Sequence, residues 1–571
     1  MAAALKLSAA EALLNASLVL RGAEHAAWDE PRLACVLATL RARLPLRLAV
    51  LGGSVSAGSV FAVRSGHAAR WLYHAKLARA LGALFPPAAP NASHRVHNGA
   101  LPATGPAWFE HCLGAQLPAA PPHLLLLEFG VNTDGHPAAF ERMLRALVAR
   151  RAAAGGPALL AVNLHAWGKA HPRTGKRMAR VCFRVEEGGA RRAANAMSAE
   201  ELASPAQRRV QTWNDSFNFG DEDAIARLCQ HYNVPLVSMR GALFRAVVDD
   251  AAAHTRLGSF MSDCKHPNSQ GHTYIAQLIL GRILASRGGE EACRAVGAKL
   301  PPPLYPDGMP LASSHCARGE QLSRYVLSSR GFEMTDEGRG KHGLVARQPG
   351  SQLTLRLSAA PLPPLPPLPA AAAASRGGGG GLRACADATA AEAAAAVAAA
   401  AREARGGGAA ALRRWRRRFS CAEEQAACAA PLVQRLCRAT CGVCSAAAAG
   451  GGRGLGLWLA YLHSYQSMGR VGVACGGACA CGGQVDAHNR WSQTSVTAVH
   501  LVRVMQLAPT NETGRSDDCR LTLEVLQGTS SGGHKFKLLG LLFAQLSDEK
   551  WQPPGTHVDP RLMFDLKTEE G

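Results

Sequence analysis

Between Arg47 and about residue 290, short apolar runs alternate with stretches of helical spacing. Arg47–Leu51 is an apolar run that enters a glycine pair, Gly52-Gly53. Ser65–Leu84 sets Trp71, Leu72, Ala75, Ala78 and Leu81 at helical intervals. Arg95–His97 reads as a short strand, and His123–Phe129 as a nearly unbroken apolar strand of the kind buried on both faces of a parallel sheet. A helix over Pro137–Ala152, a strand over Ala158–Leu164, a helix over Asp223–Tyr232, a strand over Pro235–Ser238 and a helix over Ser269–Ala285 follow. The alternation predicts an α/β domain, a three-layer α/β/α sandwich on a parallel sheet, with its site at the carboxyl ends of the strands. Residues 165–220 are rich in Arg, Lys, Glu and small residues, and read as long connections.

The pattern changes after Pro301–Pro303. Gly343–Arg347, Ser351–Leu357, Leu455–Leu462, Arg470–Cys475, Ser495–Met505, Leu521–Leu526 and Phe536–Phe543 read as strands, several with alternating apolar positions. Pro361–Gly381 is a Pro/Leu run, an Ala run and a Gly run in succession, a composition that cannot build a core and predicts a linker. The expected organisation is an N-terminal extension over 1–44 and an α/β domain over 45–300. A β-sandwich is expected from 320–358 and 455–546, interrupted by a linker at 359–384 and a cysteine module at 385–444. A tail over 547–571 ends the chain.

A length of 571 residues requires more than one core. The formal charge of +21 admits nucleic acid or an acidic polymer as partner. The basic residues are spread widely, however, and Ala, Gly and Arg are enriched together as in a GC-rich genome, so nucleic acid is not expected. The one dense basic cluster, Arg413–Arg418 around Trp415, reads first as a solvated linker face. No apolar run is long enough to cross a bilayer, and no charged-then-apolar leader is read in residues 1–46. The 17 cysteines, with sequons at Asn15, Asn91, Asn214 and Asn511, favour a secreted or cell-surface glycoprotein, and the odd count leaves at least one thiol without an intrachain partner.

Candidate chemistry lies in four stretches: Gly52-Gly53-Ser54, Asn98-Gly99, Gly130-Val131-Asn132 and Asp263-Cys264-Lys265-His266. Taken alone, each reads as a turn or a loop start; in order on an α/β pattern they supply the parts of acyl transfer through a serine. Ser54 is the nucleophile, His266 the base that accepts its proton, and Asp263 the group that orients the imidazole. The backbone N–H groups of Ser54 and Gly99 and the side-chain amide of Asn132 are the expected oxyanion donors. His165 and His272 are weaker candidates for the base; His272 falls inside the last predicted helix, where packing is the plainer use. The set resembles the SGNH (GDSL-type) hydrolase family over residues 45–290, with Gly53 and Thr133 standing where the family often has aspartate. The resemblance implies a flavodoxin-like fold and ester hydrolysis by Ser54, Asp263 and His266, with no metal or organic cofactor. The substrate it implies is an O-acylated, chiefly acetylated, carbohydrate or a small ester. Two alternatives stay open: acetyl transfer to a polysaccharide, and a secreted binding protein whose SGNH-like domain is weak or inactive.

Cys385, Cys421, Cys428, Cys437, Cys441 and Cys444 form a second group. With Asp387 and Thr440-Cys441-Gly442-Val443-Cys444, they resemble a ShKT domain, although the stretch from Cys385 to Cys421 is far longer than that family's pattern. The resemblance implies the pairs 385–444, 421–437 and 428–441. Zinc on Cys441-x-x-Cys444 is the rival use, and it lacks a matching second pair. Cys475, Cys479, Cys481 and Cys519 are expected in cross-strand disulfides, with Cys479 and Cys481 too close in sequence to join each other. Tyr461–Gly469, with aromatics among polar residues, is a candidate glycan-binding strand or simply a half-buried one.

Overall fold

A computed structural model describes residues 13–23, 31–59, 68–132, 137–152, 156–167, 184–185, 191–192, 221–248, 259–262, 265–287, 293, 300–305, 314–337, 341–357, 455–477, 479–489, 495–506 and 519–545. Asp263, the 359–384 linker, the six cysteines of the 385–444 module and Trp415 lie outside the described residues. The chain divides into two compact units, Met1–Pro310 and Leu311–Gly571.

The first unit is built on β1 (Arg47–Gly52), β2 (Arg95–Asn98), β3 (Leu124–Glu128), β4 (Ala158–Asn163) and β7 (Leu236–Ser238). A separate two-strand ribbon, β5 (Arg184–Val185) with β6 (Arg191–Arg192), stands apart from this sheet. The order β2-β1-β3-β4-β7 is parallel throughout, which is the flavodoxin-like arrangement with its switch point between β1 and β3. β1, β3 and β4 are buried along nearly their whole length, because helices cover both faces of the sheet.

Several predicted elements shift at their ends or were not foreseen. The helix expected over Ser65–Leu84 is a 3₁₀ turn at Ala68–Trp71 followed by an α-helix at Tyr73–Leu84. Helices at Pro106–Gln116 and Met239–Val248 had no periodic signal. Most of Pro106–Gln116 is buried, so no polar face marks it, and only Pro106 at its first turn announces it. The segment expected as an extension carries helices Ala16–Gly22 and Pro31–Arg41. Leu33, Val36, Leu37 and Leu40 of the second helix join the core of this unit, and Cys35 is bonded to Cys293.

The second unit pairs its strands antiparallel in two sheets. One holds β10 (Glu333–Asp336), β11 (His342–Ala346), β19 (Phe536–Gln545), β13 (Leu455–His463), β17 (Val496–Gln506) and β15 (Cys479–Ala480), with β8 (Ser314–Arg318) paired to β19. The other holds β16 (Gly482–Asp486), β14 (Arg470–Gly477), β18 (Cys519–Val525), β12 (Gln352–Arg356) and β9 (Val326–Arg330). β18 alternates buried and exposed positions. Its Leu521 and Leu523 share one core with Leu353 and Leu355 of β12 and with Leu457, Leu459, Leu541 and Phe543 of the facing sheet. Cys475 is bonded to Cys481, and Cys479 on β15 to Cys519 on β18, so these four cysteines are used as the sequence predicts. Cys112 and Cys316 are disulfide-bonded as well, whereas Cys229 is a free, buried thiol. Tyr461 is buried and stacks on Phe536 at 5.7 Å, which makes it a core residue of the sandwich.

Candidate active site

Ser54, Asn132 and His266 come from three segments that meet at the carboxyl end of the parallel sheet. β1 ends at Gly52, and Ser54 opens a four-residue helical turn, Ser54–Ala57, closed by Gly58 in the left-handed region at φ +78°. Each of the two preceding glycines makes room for a different neighbour. A Cβ at Gly52 would lie 2.8 Å from the Glu128 carbonyl oxygen and 2.9 Å from Ser56 Oγ. A Cβ at Gly53 would lie 1.9 Å from Asn132 Oδ1. Glycine at position 53, where the resembled family often has aspartate, is therefore what lets the Asn132 side chain lie against the nucleophile turn.

His266 sits in a loop tied to the last helix, Ser269–Leu284. Ser262 N–H donates to the His266 carbonyl at 2.8 Å, and Asn268 N–H donates to the Phe260 carbonyl at 3.0 Å. Asn268 also caps that helix by accepting from Gly271 N–H at 3.1 Å. So held, His266 Nε2 lies 2.7 Å from Ser54 Oγ across 212 positions of sequence. Asp263 falls outside the described residues.

Of the three expected oxyanion donors, Gly99 has its N–H spent within the sheet, and the other two do not. Ser54 N–H has no protein acceptor among the described residues. Asn132 is buried, turned onto Gly53, and donates no side-chain hydrogen bond among the described residues. Gly99 is the correction: its N–H donates to the Val50 carbonyl at 2.9 Å, continuing the β1–β2 ladder, and a Cβ there would lie 2.3 Å from the Gln116 carbonyl oxygen. Glycine at 99 answers to that close backbone approach. The chain then runs on through Ala103, held in the left-handed region at φ +50°, to Gly105, where a Cβ would lie 2.2 Å from the Asn132 carbonyl oxygen. Ala103 N–H has no acceptor among the described residues, and non-glycine residues adopt that backbone conformation only under constraint.

A buried polar network lies behind Ser54. Glu128, at the end of β3, accepts from Ser56 Oγ at 3.0 Å and from Ser56 N–H at 3.3 Å, both at Oε2. Tyr73 OH meets Ser56 Oγ at 2.8 Å, and Asn98 Nδ2 donates to the Ser56 carbonyl at 2.9 Å. His272 Nδ1 accepts from Tyr73 N–H at 3.1 Å, and its ring stacks on that of Tyr73. Burial pushes the Glu128 carboxyl up to about 7 and holds His74 down at about 4. Burial, with His74, Lys76 and His266 nearby, holds His272 well below the ordinary histidine range. His272 is thus a neutral packing partner. His165, the other histidine weighed as a base, is buried beyond β4 and pairs through Nδ1 with Glu222 at 2.5 Å. Among the described residues no group of three or more His, Cys, Asp or Glu is placed to hold a metal ion.

No protein-family profile matches this chain, and no curated protein matches its sequence. Among the solved structures that resemble it at low identity are three esterases or hydrolases. One is a two-domain esterase, CEX, active on acetylated mannans: 15% identity and a TM-score of 0.47 over 90% of this chain and 95% of the other. Another is LAE5, an α/β hydrolase from the metagenome of Lake Arreo, Spain: 18% identity and a TM-score of 0.27 over 43% of this chain and 97% of the other. The third is Axe2, an acetylxylan esterase from Geobacillus stearothermophilus: 14% identity and a TM-score of 0.27 over 42% of this chain and 95% of the other.

Proposed function

We propose that the first unit is a serine esterase of SGNH type that cleaves O-acyl, chiefly acetyl, esters of a carbohydrate or small alcohol. The observation that carries this reading is the 2.7 Å contact between Ser54 Oγ and His266 Nε2, at the carboxyl end of a parallel sheet and beside its switch point. Ser54 Oγ attacks the ester carbonyl while His266 Nε2 takes its proton. A C–O bond forms, and the carbonyl π pair moves onto oxygen. Ser54 N–H and the Asn132 amide stabilise that oxyanion. Asp263 orients His266 through its other ring nitrogen. Collapse breaks the bond to the alcohol, which leaves with the proton from His266. Water, deprotonated by His266, then attacks the acyl-Ser54, and the acid departs as Ser54 regains its proton.

The disulfides support folding in an oxidising compartment, and no helix among the described residues is long and apolar enough to cross a membrane. We assign the enzyme to the secretory route, with the sandwich and the 385–444 cysteine module as substrate- or wall-binding parts. A fluorophosphonate probe tests the chemistry. Labelling at Ser54 that is lost in Ser54→Ala and in His266→Ala is the expected result; no labelling of folded wild-type protein overturns the reading. Acetate release from an O-acetylated polysaccharide, compared with short-chain esters, tests the substrate class.

A further inference from the structure

The catalytic reading uses Ser54 and leaves unexplained why a carboxyl group is buried directly beneath it. Glu128 is fully buried, and its Oε1 has no hydrogen-bond partner among the described residues. Leaving such an atom orphaned is costly, so the position of this side chain needs a compensating use. Its other oxygen, Oε2, takes both the N–H and the O–H of Ser56, the middle of the turn that Ser54 opens. Ser56 has one hydroxyl proton and gives it to Glu128, so the bond to Tyr73 at 2.8 Å is donated by the phenol. Burial and the Glu128 charge push that phenol upward, so it stays protonated to donate. The Glu128 backbone adds a third tie, its carbonyl accepting from Gly53 N–H at 3.3 Å. The strand carrying Glu128 therefore grips the nucleophile turn at the residue before Ser54 and at the second residue after it.

We propose that Glu128 is a positioning residue for acyl transfer: its Oε2 clamps Ser56 through both N–H and O–H and so holds the Ser54 hydroxyl against His266. The inference rests on the esterase reading above. The clamp is strongest when Glu128 is ionised, since a charged acceptor makes the stronger hydrogen bond. The titratable groups around it are Tyr73, His74 and Lys76 on helix Tyr73–Leu84 and His272 on helix Ser269–Leu284, with His266 in the loop before. Of Glu128, Tyr73, His74 and His272, Glu128 alone is placed to titrate near neutrality. Tightening of the turn with rising pH that is present in the wild type and lost in Glu128→Gln is thus the signature of this carboxyl.

The test compares full-length wild type, Glu128→Gln, Ser56→Ala and the double variant. One readout is the fluorophosphonate labelling rate from about pH 5 to 9; the other is deuterium uptake of peptides covering residues 53–59. Glu128→Gln is expected to slow labelling about tenfold or more, while the acid limb that belongs to His266 as base remains. Turnover falls while KM holds. Ser56→Ala costs less, because its N–H still reaches Glu128, and the double variant is no slower than Glu128→Gln. Uptake over 53–59 rises in each. A wild-type labelling rate in Glu128→Gln, a double variant that multiplies the single losses, or unchanged uptake each overturns the clamp. If Glu128→Gln fails to fold, Ser56→Ala decides by the same uptake. Silence of the wild type toward the probe overturns the esterase reading instead, and uptake still judges the clamp.

Discussion

The two units bury polarity in opposite ways. In the first, Ser56, Tyr73, His74, Glu128 and His272 are buried as a connected set, with Lys76, Glu110–Arg142 and His165–Glu222 buried beyond it. Among the described residues of the second, the buried polar side chains are Ser351, Ser464, Asn489 and Lys537, and its core is otherwise aliphatic and aromatic. Buried polar groups are expensive and an aliphatic core is not. The first unit carries that cost around Ser54, at the site proposed above for acyl transfer. The second is built for packing and secures its strands with disulfides.

Four measurements can break or sharpen this contrast, beginning with the largest effect. Asn132→Ala should lower turnover by about 10²–10³ while KM changes little. Steady-state kinetics on a soluble acetyl ester checks this, and unchanged turnover would remove Asn132 from the oxyanion hole. Replacing Cys479 and Cys519 together by serine opens a loop of 40 residues and should cost about 4 kcal/mol. Denaturant unfolding of the second unit should show that loss, with Ser54 labelling retained.

The third concerns Glu128, whose carboxyl is pushed up to about 7. The unfolded chain loses this proton in the ordinary carboxyl range, and the folded chain holds it until about neutrality. Its contribution to stability is therefore full below the ordinary range and lost as pH rises to about 7. The total is about 3 kcal/mol, so thermal unfolding of wild type should weaken over that window while Glu128→Gln stays flatter. Equal slopes would mean that Glu128 is not buried as described. The smallest effect is at Glu337 on the second unit. Partial burial works to raise its carboxyl, but Lys535, Lys537 and Arg347 outweigh it and hold the group down at about 2. Its stabilisation is present above the ordinary carboxyl range and lost as pH falls toward 2. Because the site is partly open to solvent, Glu337→Gln should cost a fraction of 1 kcal/mol, read as a shallower acid limb in melting temperature.

What could be read in advance follows from where the information sits. The apolar runs at Arg47–Leu51, His123–Phe129 and Ala158–Leu164 became β1, β3 and β4, because a strand buried on both faces must be apolar throughout. Helices Pro106–Gln116 and Pro31–Arg41 escaped for a related reason. The first is buried almost all round, and in the second Arg32 is buried with its guanidinium on the Cys293 carbonyl, so charge in the sequence did not mean exposure. Ser54, His266 and Asn132 could be named as candidates because the chemistry proposed for them lies in side-chain identity at strand ends. Gly99 was misread because whether an N–H is spare depends on ladder register, and the β1–β2 pairing uses this one.

By itself the sequence determined the layer types, the order of the strands along the chain and the residue types able to move a proton or polarise an ester. These depend on local periodicity and side-chain chemistry. The tertiary structure alone decided that Ser54 and His266, 212 positions apart, stand in hydrogen-bond contact. It also decided that Gly53 is small to admit Asn132, and that Glu128 grips Ser56 from the neighbouring strand. Each is a meeting of segments distant in sequence: the parallel register of β1 against β3 sets the last two, and the loop before the last helix brings His266 to Ser54.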